Sequence, residues 1–260
     1  MKEVVLDARE ISKIYGLDTK NPVYALNKVS LKIEAGEFVC IMGPSGSGKS
    51  TLINNLTTID VPTTGNVYIG GIEVKQMSQK EIGKFRYKNL GFVFQNYNLL
   101  NSLTLFENIT LPLNLASMDK DTIVQRIEMW AKKLGIMDIL EKYPSDCSGG
   151  QNQRAAVCRA LVSEPKLLIA DEPTGNLDSK NSHELLSLFK KLNETNHVSI
   201  VMVTHDAMIA SYSSKLLYLK DGVIDQVLER QEMSQKEYFD QIVAINSSAS
   251  LALFNGNKKE

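Results

Sequence analysis

Apolar positions change their period along this chain, and the changes divide it. Near the N-terminus Val29, Leu31 and Ile33 alternate with polar neighbours in NKVSLKIEAGEF, and Ala35-Gly36 follows as a turn. Period two with one apolar face predicts antiparallel sheet. NVYIGGIEV repeats the pattern around Gly70-Gly71, which predicts two short strands and a tight turn. Three other runs are apolar without interruption: FVCIM (38–42), LLIAD (167–171) and IVMVTH (200–205). Such runs fit strands buried on both faces of a parallel sheet. Each leads through a loop into a helical stretch, over 49–58, 179–195 and 206–212. Strand, loop and helix in that order predict an α/β core.

Between Gln95 and Gly149 the period becomes helical. In DKDTIVQRIEMWAKKLG, Ile123, Ile127, Trp130, Ala131 and Leu134 share one face. Asp119 or Asp121 is placed to cap that helix and Gly135 to end it. The segment interrupts the α/β core, so a helical subdomain is expected over about 96–162, inserted in the core. The antiparallel part covers about 3–36 and 66–75. A hairpin is expected over about 215–227 around Asp221-Gly222, closing a first unit of residues 1–230. A C-terminal extension, 231–260, then holds the amphipathic stretch MSQKEYFDQIVAI and a polar tail ending in Lys258-Lys259-Glu260.

Composition narrows the function classes. The 260 residues are 43% hydrophobic and 23% charged, with a formal net charge of −1. These are globular values, and no nucleic-acid partner is expected from them. Cys40, Cys147 and Cys158 form no CxxC pair and are read as small hydrophobes in a reducing cytosol. The charged N-terminus MKEVVLDARE is not expected to be a signal peptide. The sequence has no run of about 18 apolar residues, so a membrane role would come through a partner.

The candidate chemistry begins after the first apolar run. Gly43-Pro44-Ser45-Gly46-Ser47-Gly48-Lys49-Ser50-Thr51 fits the phosphate-loop pattern GxxxxGK[ST], between a predicted strand and a predicted helix. Glycines let backbone N–H groups wrap phosphate oxygens, and the helix dipole adds to the attraction. Lys49 is placed to reach the β- and γ-phosphates, and Ser50 to bind Mg²⁺. Asp171 and Glu172 end another apolar run, where Asp171 suits Mg²⁺ and Glu172 an attacking water. Ser148-Gly149-Gly150-Gln151, in CSGGQ, has the composition of a second anion-binding helix start.

With these motifs in this order, the sequence over about residues 3–228 resembles ABC-type ATPases. The resemblance implies a P-loop NTPase fold: a RecA-like parallel core, an antiparallel β subdomain and an inserted helical subdomain. It implies that Tyr15, in SKIYG, stacks on adenine. It makes Gln95 the Q-loop glutamine, able to bind Mg²⁺ or water, and His205 the switch histidine at the γ-phosphate. Asp178 becomes the aspartate of the D-loop, an interface position that is equally a helix cap. CSGGQ matches the family signature, with Cys147 and Asn152 as departures, and Gly175-Asn176 is a D-loop variant. The implied assembly is a head-to-tail homodimer holding two ATP–Mg²⁺ against an integral-membrane permease, at the cytoplasmic face of the cell membrane. In it Ser148 and Gly150 of one copy close on the nucleotide of the other.

GFVFQNYNLL, KYPSDCSGGQ and ADEPTGNLDSK are further similar to the MacB/lipoprotein-release group. Within it the likeness is to the BceA-type ATPases of Gram-positive peptide resistance. That resemblance implies relief from bacitracin- or lantibiotic-like peptides and signalling to a sensor histidine kinase. Lipoprotein release, macrolide export, a cell-division role and a soluble non-transport ABC ATPase remain as alternatives. Tyr97, Leu99 and Leu100 are the candidate permease contacts, as apolar residues in a loop.

Overall fold

Two sheets, one for each pattern of apolar positions, carry the fold. The computed structural model describes residues 3–256; the terminal Lys258-Lys259-Glu260 lies outside them. The chain begins with β1 (Val4–Tyr15), β2 (Val23–Glu34), β3 (Phe38–Met42), α1 (Lys49–Leu56), β4 (Thr64–Ile69) and β5 (Ile72–Glu73). Then come α2 (Gln79–Asn89), β6 (Leu90–Phe94), α3 (Leu105–Leu115), α4 (Lys120–Leu134) and α5 (Gly149–Leu161). It ends with β7 (Leu167–Asp171), α6 (Ser179–Asn196), β8 (Ile200–Val203), α7 (Ala207–Ala210), β9 (Lys215–Lys220), β10 (Val223–Glu229) and α8 (Gln235–Gly256).

The antiparallel sheet has the order β2-β1-β4-β5, and the larger sheet β10-β9-β3-β8-β7-β6. In the larger sheet β9, β3, β8, β7 and β6 run parallel, and only β10 is antiparallel to its neighbour. Its central strands are buried on both faces, as continuous apolar runs require. Phe38, Cys40 and Met42 of β3 enter one core cluster with α3, α4, α5, α6 and α8. Val39 and Ile41 enter the other, with α1 and the antiparallel sheet. All five predicted apolar positions of α4 are buried, Asp119 is its cap, and Gly135 ends it in a left-handed turn.

Three features depart from the sequence pattern. β6 and α2 carry no clear period. Gly91 interrupts β6, because a Cβ there would meet the Ala160 carbonyl oxygen at 2.4 Å. Packing of α5 on β6 therefore demands glycine where a strand signal would want a β-branched residue. Third, the expected helix over 206–212 is a single turn. Ser211 Oγ donates to Met208 O at 2.6 Å and Ser213 Oγ to Ala210 O at 2.8 Å. Serine hydroxyls of this kind offer backbone an alternative to continued helix.

The C-terminal extension is largely helix, and α8 docks on the core. Tyr238 and Ile242 are fully buried in the α-helical cluster, and Tyr238 Oη donates to Leu228 O at 3.3 Å. Replacing Tyr238 with Ala should lower the unfolding free energy by about 3 kcal/mol, the usual loss for a large buried ring. Urea unfolding reads this, and a midpoint unchanged from the parent would mean that α8 contributes nothing to the fold.

Candidate nucleotide site

Four parallel strands end side by side. Ile41 pairs with Val203, Val203 with Asp171, and Asp171 with Phe94. The loops that follow carry, in the same order, residues 43–48, His205, Glu172 and Gln95. Ligands of open α/β sheets bind in the crevice outside such carboxyl ends. Sheet register alone thus gathers four motifs that lie far apart in sequence.

The first loop is shaped by close backbone approaches. At Gly48, φ is 99° and a Cβ would meet the Ala25 carbonyl oxygen at 2.4 Å, so β2 leaves no room for a side chain. Gly43 and Ser47 are buried, while Pro44, Ser45 and Gly46 form the exposed rim. The turn of the β9–β10 hairpin seals the loop from below: Gly222 N donates to Ser47 O at 3.0 Å, and Asn27 N to Gly222 O at 2.8 Å. Lys49 folds its ammonium over the loop, donating to Gly43 O at 2.9 Å and Pro44 O at 2.8 Å. Burial lowers the Lys49 pKa, against the opposing pull of Glu172 and Asp171.

This loop fits a polyphosphate. No side chain caps the start of α1, whereas α2, α3, α4, α5, α6 and α7 all have one. The buried Ser47 Oγ has no hydrogen-bond partner among the described residues. Ser50 is exposed and Thr51 half-buried on the first turn of α1. Ser50, Gln95 and Asp171 offer a hydroxyl, an amide oxygen and a carboxylate, hard donors of the kind Mg²⁺ takes. Among the described residues no group of three His, Cys, Asp or Glu side chains is arranged for a metal. A Mg²⁺ ion at this loop would therefore share few protein donors with phosphate oxygens, its common habit.

The acidic strand end is costly to hold. Asp171 is pushed up in pKa by burial first and by the neighbouring Glu172 charge next, with Lys49 opposing. Glu172 lies in the left-handed region at φ 45°, fixed by Glu172 N donating to Val203 O and Gly175 N donating to Glu172 O, both at 3.0 Å. Strain at a non-glycine residue persists where surroundings over-determine it, commonly at functional sites. His205 Nδ1 lies 2.8 Å from Glu172 Oε1, and Thr204 Oγ1 donates to Glu172 Oε2 at 3.4 Å. Thr204 went unnoticed in the sequence, where it reads as one more β-branched strand residue.

The second glycine element sits against the loops beside Gln95 and Asp178. Ser148 caps α5: its Oγ accepts from Gln151 N at 3.3 Å, and Gln151 Oε1 accepts from Ser148 N at 2.9 Å. A Cβ on Gly149 would come within 2.9 Å of the Tyr97 hydroxyl, and one on Gly150 within 2.6 Å of Asn181 Oδ1. Asp178 is the cap of α6, accepting from Asn181 N at 2.8 Å, and this bond holds its carboxyl below the usual range. Gln95 lies over Gly175, where a Cβ would stand 2.6 Å from Nε2. Asn176, noted in the sequence only as a variant, donates to Gln95 O at 3.1 Å and Asn96 Oδ1 at 2.8 Å.

Tyr15 ends β1 with 43% of its surface exposed, an available platform for a flat base. Its hydroxyl donates to Asp60 Oδ2 at 3.1 Å, and Lys13 Nζ lies 5.2 Å from its ring centroid. Asp60, which had no sequence signal, fixes both by its 2.6 Å ion pair with Lys13.

Two of the three candidate permease contacts, Tyr97 and Leu99, are half-buried. Leu99 packs against the core cluster, and the Tyr97 hydroxyl reaches Asn176 O at 3.5 Å. Only Leu100 is well exposed, at 51%. Arg159 Nη1 and Nη2 donate to Asn98 O and Tyr97 O, holding two left-handed residues at φ 49° and 59°. The loop is pinned inward at Tyr97 and Asn98, Leu99 serves packing, and Leu100 stays exposed.

The family model of the ABC transporter matches residues 26–175. The chain belongs to this family. It is the ATP-binding subunit type of an ABC transporter and an ABC ATPase. It is 44% identical to the bacitracin export ATP-binding protein BceA of Halalkalibacterium halodurans, over 92% of this chain and 94% of that protein. It is 41% identical to the ABC transporter ATP-binding protein YxdL of Bacillus subtilis, over 98% and 96%. A macrolide export protein MacB of Rhodopirellula baltica is 42% identical over 76% of this chain but only 29% of its own length. The dimeric ABC cassette MJ0796, a protein of Methanocaldococcus jannaschii, superposes with a TM-score of 0.79 at 39% identity, covering 88% of this chain and all of that one. A second structure of that cassette is a post-hydrolysis state with ADP and Pi. In this ABC ATPase the expected architecture is present: a parallel core, an antiparallel sheet and a helical part between β6 and β7. Among the described residues no helix is long and apolar enough to cross a membrane.

Proposed function

We propose that two copies of this ATPase close head to tail on two ATP–Mg²⁺ and drive a membrane permease in antimicrobial-peptide resistance. The observation that carries the shared site is the position of the Ser148-Gly149-Gly150 helix start. Its nearest neighbours are Tyr97 in the loop after β6, Asn176 and Leu177 just before Asp178, and Asn181 in the first turn of α6, none of them in residues 43–51 of the same chain. A helix start so placed supplies amides to a phosphate on another copy. Tyr15 stacks on the base, and Lys49 and the amides of residues 46–51 bind the phosphates. Ser50, Gln95 and Asp171 are the residues that would hold Mg²⁺, which when bound offsets phosphate charge. Glu172 orients the water, and His205 turns from Glu172 toward the charge that develops on the γ-phosphate. Positioning and electrostatics then supply most of the rate.

The likeness to BceA over nearly the whole of both chains supports peptide resistance over the other transport roles. Expression with its permease in a bacitracin-sensitive host is expected to raise the inhibitory concentration of bacitracin or a lantibiotic, and Lys49→Ala to abolish the gain. Unchanged sensitivity with an active ATPase sinks the peptide reading and favours lipoprotein release or macrolide export. A sensor histidine kinase is proposed as an indirect partner on the same ground, and a cytoplasmic membrane face as the location.

An open apolar groove is the proposed permease dock. Phe92, Phe94, Leu111, Pro112 and Leu115 line a space of about 480 Å³, with Arg86 and Arg159 among its polar members. Leu115 is 71% exposed, so charge there leaves the core intact. Leu115→Glu is expected to abolish co-purification with the permease while the isolated subunit keeps its melting temperature. Undiminished co-purification would place the dock elsewhere.

A further inference from the structure

Two arms of chain meet at Glu172. One is the loop through Gly175 to Asp178 and α6; Gly175 N donates to Glu172 O at 3.0 Å. The other follows β8 through His205, whose Nδ1 lies 2.8 Å from Glu172 Oε1, and continues into α7 and the turn Ser211-Tyr212-Ser213. A cavity of about 440 Å³ separates the arms, with Glu172, Thr174, Ser179, His205 and Met208 among its lining. Leu186, Ile209 and Tyr212 pack together along part of the gap, and the open remainder leaves the spacing of the arms to polar contacts as well.

One side-chain pair bridges it. The Tyr212 hydroxyl and His183 Nδ1 are 2.5 Å apart, and the two rings meet edge to face with centroids 6.0 Å apart. His183 lies in the second turn of α6, just beyond the Asp178 cap. Tyr212 is 9% exposed, so its ring has one firm position. Ser211, on one side of it, is held from behind by α8, where Gln235 Nε2 donates to Ser211 Oγ at 3.1 Å. The switch arm is thus backed by α8, shares the core cluster of Leu185 and Leu186 of α6, and is tied to α6, among the described residues, by one side-chain hydrogen bond.

We propose that the His183–Tyr212 bond is a latch that sets the spacing between the Asp178 loop and the His205 arm, making both residues positioning residues for hydrolysis at Glu172. The proposal rests on the reading of Glu172 and His205 as the hydrolytic pair. Displacement of a catalytic group by about 1 Å costs up to a hundredfold in rate, so a bond of modest strength has leverage here.

The test measures steady-state hydrolysis and melting of the full chain in four variants. His183→Ala and Tyr212→Phe should each lower kcat by about fivefold, with KM for ATP within about twofold of the parent. The double variant should be no slower than either single one, because both remove the same bond. His183→Asn, whose amide can stand where Nδ1 stood, should restore kcat to within about twofold. Parent-like kcat in both single variants overturns the latch. So do additive losses, a rise in KM matching the fall in kcat, or a His183→Asn variant as slow as His183→Ala. Glu172→Gln is run beside them. If it turns over normally, the hydrolytic reading fails and the latch with it; if it is inactive while the latch variants are normal, only the latch fails.

Discussion

Glu172→Gln is expected to lower ATP turnover by at least about a hundredfold while ATP affinity stays within about twofold of the parent. The substitution preserves size and one acceptor oxygen, so the turn at φ 45° and its two backbone hydrogen bonds should survive. What is lost is the carboxylate charge that polarises water. With hydrolysis blocked and binding intact, ATP should accumulate between two subunits. Gel filtration in ATP–Mg²⁺ should show a dimer for the variant and a shorter-lived one for the parent. Turnover at the parent rate would remove Glu172 from its role. A dimer absent in ATP, with turnover lost, would keep the role but reject the shared site.

Ser148 carries the second large effect, and the structure changes how it must be tested. Its hydroxyl caps α5, so many replacements damage the helix by about 1 kcal/mol before any nucleotide is considered. Ser148→Asp separates the two roles. Aspartate caps a helix as well as serine does, so melting should be unchanged. Its negative charge would face a γ-phosphate, so turnover should fall by about a hundredfold or more. Ser148→Arg should likewise stop turnover while sparing ATP binding by the single subunit, at some cost in melting temperature. Parent-like hydrolysis by both variants would show that this helix start faces no phosphate.

The features readable in the sequence were those fixed by local rules. Lys49 and the glycines before it announce themselves because a backbone cradle tolerates few alternatives. The face of Ile123, Ile127, Trp130, Ala131 and Leu134 was legible because burial of a helix has a period. β6 escaped because Gly91 answers to the Ala160 carbonyl of α5, a partner about seventy residues away in sequence. The half-buried state of Tyr97 and Leu99 was not legible for a related reason: whether a loop residue is exposed depends on what Arg159 and Gly149 do to it. Gln95, Asp178 and Tyr15 could be singled out only through family resemblance, since a lone amide, acid or phenol has no local signature. Asn176 stood out only as a variant, and the His183–Tyr212 pair had no signal, because a side-chain bond across 29 residues leaves none.

The hold that Lys49 keeps on Gly43 O and Pro44 O has a consequence for how tightly this protein holds its fuel. Two of the three N–H donors of the ammonium have carbonyl partners within the loop, so in binding phosphate it mainly exchanges carbonyl oxygens for phosphate oxygens. Its part in the affinity is therefore a difference between two sets of charge-assisted bonds, smaller than either. In return these bonds favour one loop shape, which lessens the ordering entropy to be lost on binding. Removing the ammonium should thus slacken the empty loop as well as weaken the filled one.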